Sequence, residues 1–111
     1  MMNNAIIVGR IVRDLDLHET ENGYKVAEIT LAVPRSFKNM EGQYDTDFIP
    51  CKLWSIVAEN TAEYCKKGDL VAIKGRLQSI TYEENEYKHT GIELIAERVS
   101  FLSSKRPEAD E

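Results

Sequence analysis

Within the stretch Phe48-Ile49-Pro50-Cys51-Lys52-Leu53-Trp54, apolar side chains suited to a core alternate with two rings, a proline and a cation. In an extended chain successive side chains point to opposite faces. Ile49, Cys51 and Leu53 then share the core side, and Phe48, Pro50, Lys52 and Trp54 share the other. At ~3.3 Å per residue, Phe48 and Trp54 stand about 20 Å apart with Lys52 between them. Flat π faces flanking an ammonium group suit a ligand built of planar bases joined by phosphates: the rings stack and the cation neutralises. The same pattern would arise if the rings covered a second small core or a contact between subunits, and this strand alone fits both.

The stretch from Leu70 to Tyr82 favours the first alternative. Val71, Ile73, Gly75 and Leu77 form its apolar side, and Lys74, Arg76, Gln78, Ile80 and Tyr82 the other. The outward sides of the two strands together hold three cations, three rings and no acid, in a chain with 19 acidic residues. Lys74 and Arg76 would look the same if they were solvated residues paired with nearby glutamates, a common arrangement. Phe37 lies between Arg35 and Lys38; taken by itself it fits a ring tucked beneath its own loop. Tyr44 and Tyr87 fit either role. Arg10 and Arg13 end the first strand and add possible phosphate contacts, offset by Asp14 and Asp16.

Signals of catalysis are poor. The sequence has no Gly-rich phosphate loop, no His-x-x-x-His pair and no nucleophile elbow. His18 and His89 stand alone in polar segments expected as loops. Cys51 and Cys65 have no second sulfur or histidine at ligand spacing, so neither a metal nor a cofactor is expected. A metal-dependent nuclease needs clustered carboxylates; Asp45 and Asp47, near Lys52, offer only a thin version. The expected protein is therefore not an enzyme.

These residues require strands to hold them. Ala5–Val12 is a β-branched run broken by Gly9, and residues 13–22 are polar, ending in the turn signal Asn22-Gly23. Lys25–Val33 alternates, with Ala27, Ile29, Leu31 and Val33 inward. Pro34–Asp45 is expected as a long loop with Gly42 near its tip, and Thr46–Trp54 as the third strand. The period then changes. Ser55–Lys67 predicts a helix capped by Ser55 and Gly68, with Val57, Ala58, Thr61, Ala62, Tyr64 and Cys65 on its inner side and Lys66 and Lys67 at its negative end. Leu70–Tyr82 and Ile92–Leu102 are the fourth and fifth strands, joined by a polar connection from Glu83 to Gly91. One helix between the third and fourth of five strands matches the all-β, five-stranded Greek-key barrel called the OB-fold. A small sandwich or an α+β sheet shares the periodicity; the barrel is preferred because closure removes exposed edges and because Gly9 and Gly75 permit sharp bends.

The chain has 111 residues, 42% hydrophobic and 30% charged, enough for one domain. It is expected to span residues 1–104, with a short disordered acidic tail at 105–111. A net charge of −5 excludes a uniformly basic coat for duplex DNA, but not a local basic face. No apolar run is long enough for a membrane-spanning helix, and the N-terminus lacks an export signal, so a reduced cytoplasmic protein is expected.

The stretches IIVGRIVRDLDL, NGYKVAEITLAV, TDFIPCKLW and AENTAEYCKKGDLVAIKGRLQSITY resemble the bacterial single-stranded DNA-binding protein family, from about Asn3 to Leu102. The resemblance implies an OB-fold, usually a homotetramer, that coats and protects single-stranded DNA in replication, recombination and repair without strong sequence preference, in the cytoplasm and associated with the nucleoid. It implies base stacking by Phe37, Phe48, Trp54 and Tyr82, so that Phe37 becomes a stacker. It implies phosphate contacts from Arg10, Arg35, Lys52, Lys74 and Arg76. Many members add a Gly/Pro/Gln-rich linker and an acidic tip with an apolar end that recruits replication and repair proteins. This chain reads PEADE with no apolar end, so it resembles a short form lacking that tip, and tip-mediated partners are not expected. The rival readings are a scaffold module with its rings buried between subunits, an RNA-binding OB module and, last, a metal nuclease.

Overall fold

The computed structural model describes residues 1–104, and the tail expected at 105–111 lies outside them. The chain runs β1 (Ala5–Ile11), β2 (His18–Glu19), β3 (Lys25–Lys38), β4 (Tyr44–Trp54), α1 (Ser55–Tyr64), β5 (Leu70–Glu84) and β6 (Tyr87–Ser103). The strand order is β1-β5-β6-β4-β3-β2, and pairing of β1 with β3 closes the sheet into a barrel. Among the described residues, five long strands and one helix make the expected OB-fold, with β2 a two-residue addition on β3. All ladders are antiparallel except β4–β6, which is parallel, with Cys51 opposite Leu94 and Lys52 opposite Ile95.

Alternation places the core. Ala27, Ile29 and Leu31 of β3, Cys51 and Leu53 of β4, and Val71 and Ile73 of β5 are all buried, with Ala58 of α1 over one end. Each fully buried branched side chain contributes about 1.5–3 kcal/mol relative to exposure. Gly75 is required by close approach: a Cβ there would collide with the Ile95 carbonyl oxygen. At the same place Lys74 pairs with Arg98 and Gly75 with Ala96, so Glu97 is the extra residue of a bulge in β6.

Several expectations need correction. The supposed loop at 34–45 is mostly strand: β3 runs to Lys38 and β4 starts at Tyr44. Only residues 39–43 turn, with Gly42 at φ +82° and the Asn39 side chain accepting from the N–H groups of Glu41 and Gln43. The connection at 83–91 is a two-residue turn, Asn85 and Glu86 at φ 53° and 70°, as a type I′ hairpin requires. Both arms extend past the barrel, where neither face is buried and no apolar alternation is demanded. Leu77 lies on such an arm beyond the bulge and is exposed rather than core. The polar segment 13–22 holds β2.

The helix differs at both ends. Its N-cap is Trp54, with no side-chain capping bond, and Ser55 sits at φ 55°, because β4 passes into α1 without a linker. It ends at Tyr64, which is exposed, and Cys65 is already extended. Lys66 and Lys67 therefore follow the helix instead of ending it. Gly68, at φ +92°, serves a turn that ties β1 to β5: its N–H donates to the Ile11 carbonyl, and the Ile11 N–H donates to the Asp69 carbonyl at 3.0 Å.

Candidate nucleic-acid interface

The outer side of β4 carries Phe48, Pro50, Lys52 and Trp54, as alternation predicts. Phe48 is 63% exposed and Trp54 39%, so neither ring is sealed in a second core within the chain. The partner row on β3 is small or polar at the critical places: Ala32 faces Phe48, Thr30 faces Pro50 and Glu28 faces Lys52. A ring opposite alanine keeps its face clear. Arg10 of β1 pairs with Ala32, so Arg10, Ala32 and Phe48 form one row across three strands. At ~4.8 Å per strand, Arg10 and Phe48 are about 10 Å apart. Beside Arg10, the residues Val8, Gly9, Ala32, Pro34, Thr46 and Leu70 join it in lining a cleft of about 250 Å³. One Arg10 nitrogen donates to the Gly68 carbonyl at 3.0 Å, which fixes the guanidinium.

Phe37 is 64% exposed and sits on the β3 arm, not beneath a loop. Between the pairs Pro34–Thr46 and Lys38–Tyr44, β3 advances four residues while β4 advances two. Arg35, Ser36 and Phe37 span that irregularity, which lifts them from the regular ladder. Arg35 forks onto Asp47, with its Nη2 2.9 Å and its Nε 3.1 Å from carboxylate oxygens, and Asp45 lies 3.8 Å away. The hydrogen bonds from Arg35 hold the Asp47 carboxyl below the usual carboxylate range, and the same contact raises Arg35. Lys38 Nζ lies 5.9 Å from the centre of the Tyr44 ring, a cation–π pair on the same arm.

On β5, Tyr82 is 48% exposed, and its ring stacks on His89 with centroids 5.3 Å apart and planes at 24°. Lys74 and Arg76 also face outward, but not into acid-free surroundings. Glu97 contacts Lys74 at 3.3 Å and Arg76 at 3.4 Å, and Arg76 also donates to Gln78 at 2.6 Å. Lys52 meets Glu93 at 3.5 Å. Strand β6 lies between β4 and β5, and it supplies both carboxylates. The acid-free surface expected from β4 and β5 is therefore corrected: its cations are paired from the strand between them. The pairs also make one stripe, from Lys52 on β4 across Glu93 and Glu97 on β6 to Arg76 and Lys74 on β5.

Sequence reasoning missed Glu93, Glu97 and His89. Glu93 and Glu97 lie on either side of the apolar triplet Leu94-Ile95-Ala96, a broken alternation that marks a bulge. His89, expected on a loop, occupies the strand position opposite Tyr82, and His18 lies in β2. Both cysteines are free and buried, and burial followed by Glu28 pushes the Cys51 thiol up to about 11. Among the described residues, no group of His, Cys, Asp or Glu could hold a metal ion, and no helix is long and apolar enough to cross a membrane.

Residues 2–102 match the model of the single-strand binding protein family. The chain belongs to that family. It is 45% identical to single-stranded DNA-binding protein B of Bacillus subtilis, over 95% of this chain and 94% of that one. It is 47% identical to a single-stranded DNA-binding protein of Bacillus cereus, over 95% of this chain but 62% of the relative. In fold it is similar to a deletion variant of the single-stranded DNA binding protein from Thermus aquaticus, known from a crystal structure. The TM-score is 0.78 at 23% identity, covering 94% of this chain and 52% of that chain. The single-strand binding family therefore has its OB-fold here, with rings and cations on the outside of the barrel.

Proposed function

We propose that this member of the family is a non-enzymatic, sequence-tolerant single-stranded DNA-binding protein. Bases stack on Phe37, Phe48, Trp54 and Tyr82, while Arg10, Arg35, Lys52, Lys74 and Arg76 meet phosphates. The observation that carries this reading is the exposure of all four rings, between 39% and 64%, with Phe48 and Trp54 on the outer side of the barrel wall and Phe37 and Tyr82 on the hairpin arms that extend from it. Stacking on aromatic faces is tolerant of sequence because every base has a π face. The domain that does this spans residues 1–104. The same reading assigns coating and protection of DNA in replication, recombination and repair, in the cytoplasm at the nucleoid. It also assigns a homotetramer, supported by the outer side of β1, where Ile6 and Val8 are an exposed apolar pair that a second copy would cover.

Trp54 is the single tryptophan and reports on its own surface. Titration with oligo-dT at low salt should quench its fluorescence, and equal-length RNA should compete poorly. Unchanged emission at low salt would leave a scaffold, and equal competition would make RNA the ligand. Sedimentation with and without the oligomer reads the number of copies.

A further inference from the structure

We propose that Glu97 is a built-in competitor for the phosphate backbone, a positioning residue that holds Lys74 and Arg76 in reserve and halves the charge they present. The inference rests on the single-stranded DNA reading above. Glu97 is the extra residue of the β6 bulge, and the bulge is possible because Gly75 opposite has no Cβ to strike the Ile95 carbonyl. Its carboxylate divides itself between the two cations, Oε1 toward Lys74 Nζ at 3.3 Å and Oε2 toward Arg76 Nε at 3.4 Å. All three side chains are between 42% and 51% exposed, so the pairs are weak and exchangeable. Two positive charges and one negative leave a net charge of one. A phosphate reaching Lys74 and Arg76 must displace Glu97 oxygens, and the displaced carboxylate stays beside the DNA. The triad then neutralises about one phosphate, although it offers two cations. Gln78, accepting from Arg76 at 2.6 Å, keeps the guanidinium extended along the strand while the exchange occurs.

The test is the salt dependence of oligo-dT binding, read by Trp54 fluorescence, for the full chain and Glu97→Gln. Removing one opposing charge should steepen the slope of log affinity against log salt by about 0.7, equivalent to about fivefold tighter binding at 0.1 M salt that fades toward 1 M. In a Lys74→Gln/Arg76→Gln background the same substitution should leave the slope unchanged. Parallel salt lines for the parent and Glu97→Gln would overturn the inference. So would an equal gain in the background lacking both cations, which would mean a change in bulk charge only. Failure of the parent chain to bind oligo-dT would instead defeat the functional reading. Glu97→Ser gives the same comparison if the glutamine variant does not fold.

Discussion

Replacing Phe48 with alanine isolates stacking from folding better than any other change on this surface. Trp54 also caps α1 and faces the buried Val26, so its loss would mix binding with stability. Phe48 is 63% exposed, so only about a third of its area is sheltered. With about 200 Å² for a phenylalanine and ~25 cal/mol per Å², its removal costs at most ~2 kcal/mol of stability, an upper bound because the unfolded chain is itself partly compact. Domains of this kind hold about 5–15 kcal/mol, so the variant stays folded at 25 °C. Loss of one stacked base should cost ~1–3 kcal/mol of binding, a rise in Kd of about 5- to 140-fold. The assay is an oligo-dT titration followed through Trp54 at several salt concentrations. An uncharged ring releases no counterions, so the salt slope of Phe48→Ala must match that of the parent. A Kd within twofold of the parent would refute the stacking role, and a changed slope would show that the substitution disturbs the neighbouring cations.

Three further outcomes follow from the same geometry. The Asp47 carboxyl, held down first by its hydrogen bonds from Arg35, should titrate below the ordinary 3.8 in a carboxyl NMR titration and return toward it in Arg35→Gln. Its contribution to stability is present above the unfolded value and is lost as pH falls through the folded one. The Cys51 thiol moves from 9.0 to about 11 through burial. The folded state therefore keeps its proton longer than the unfolded chain, so stability should fall as pH rises through that interval, and urea midpoints that do not move there would contradict the burial of the thiol. Gly75→Ala forces a methyl onto the Ile95 carbonyl and should cost about 3 kcal/mol or more in urea unfolding, whereas Gly42→Ala, with open space around it but φ at +82°, should cost about 1–2 kcal/mol.

What could be read from sequence followed the barrel wall. Where one face of a strand is buried, as at Ile29–Leu31 or Cys51–Leu53, alternation is enforced by the core and also identifies the outer face. Phe48, Lys52 and Trp54 were legible for that reason, whereas Tyr82 was reached by carrying the β5 alternation past the wall onto an arm where neither face is buried. Where the hairpin arms leave the wall the constraint lapses, and Arg35–Lys38 and Glu83–Gly91 read as loops although all but the Asn85-Glu86 turn is strand. The acid pairing was hidden for a different reason. Glu93 and Glu97 come from β6, which lies between β4 and β5 through a parallel contact that no local pattern encodes, and the bulge shifts the phase of the strand just where Glu97 stands. Helix ends misled because Ser55 and Gly68 have the right chemistry for caps, whereas the direct passage from β4 and the tie to Ile11 claimed them first.

The barrel is joined unequally. The ladders β3–β4, β1–β5 and β5–β6 are long, but β1–β3 and β4–β6 hold two register pairs each. The wall is thus two curved leaves meeting along two narrow seams, with Phe37, Phe48 and Trp54 on one leaf and Lys74, Arg76 and Tyr82 on the other. A polymer lying from Trp54 to Tyr82 crosses the β4–β6 seam and staples the leaves together. Amide hydrogens along that seam should therefore slow their exchange most when the polymer is bound, by up to about 2.7 kcal/mol at a hundredfold excess over Kd.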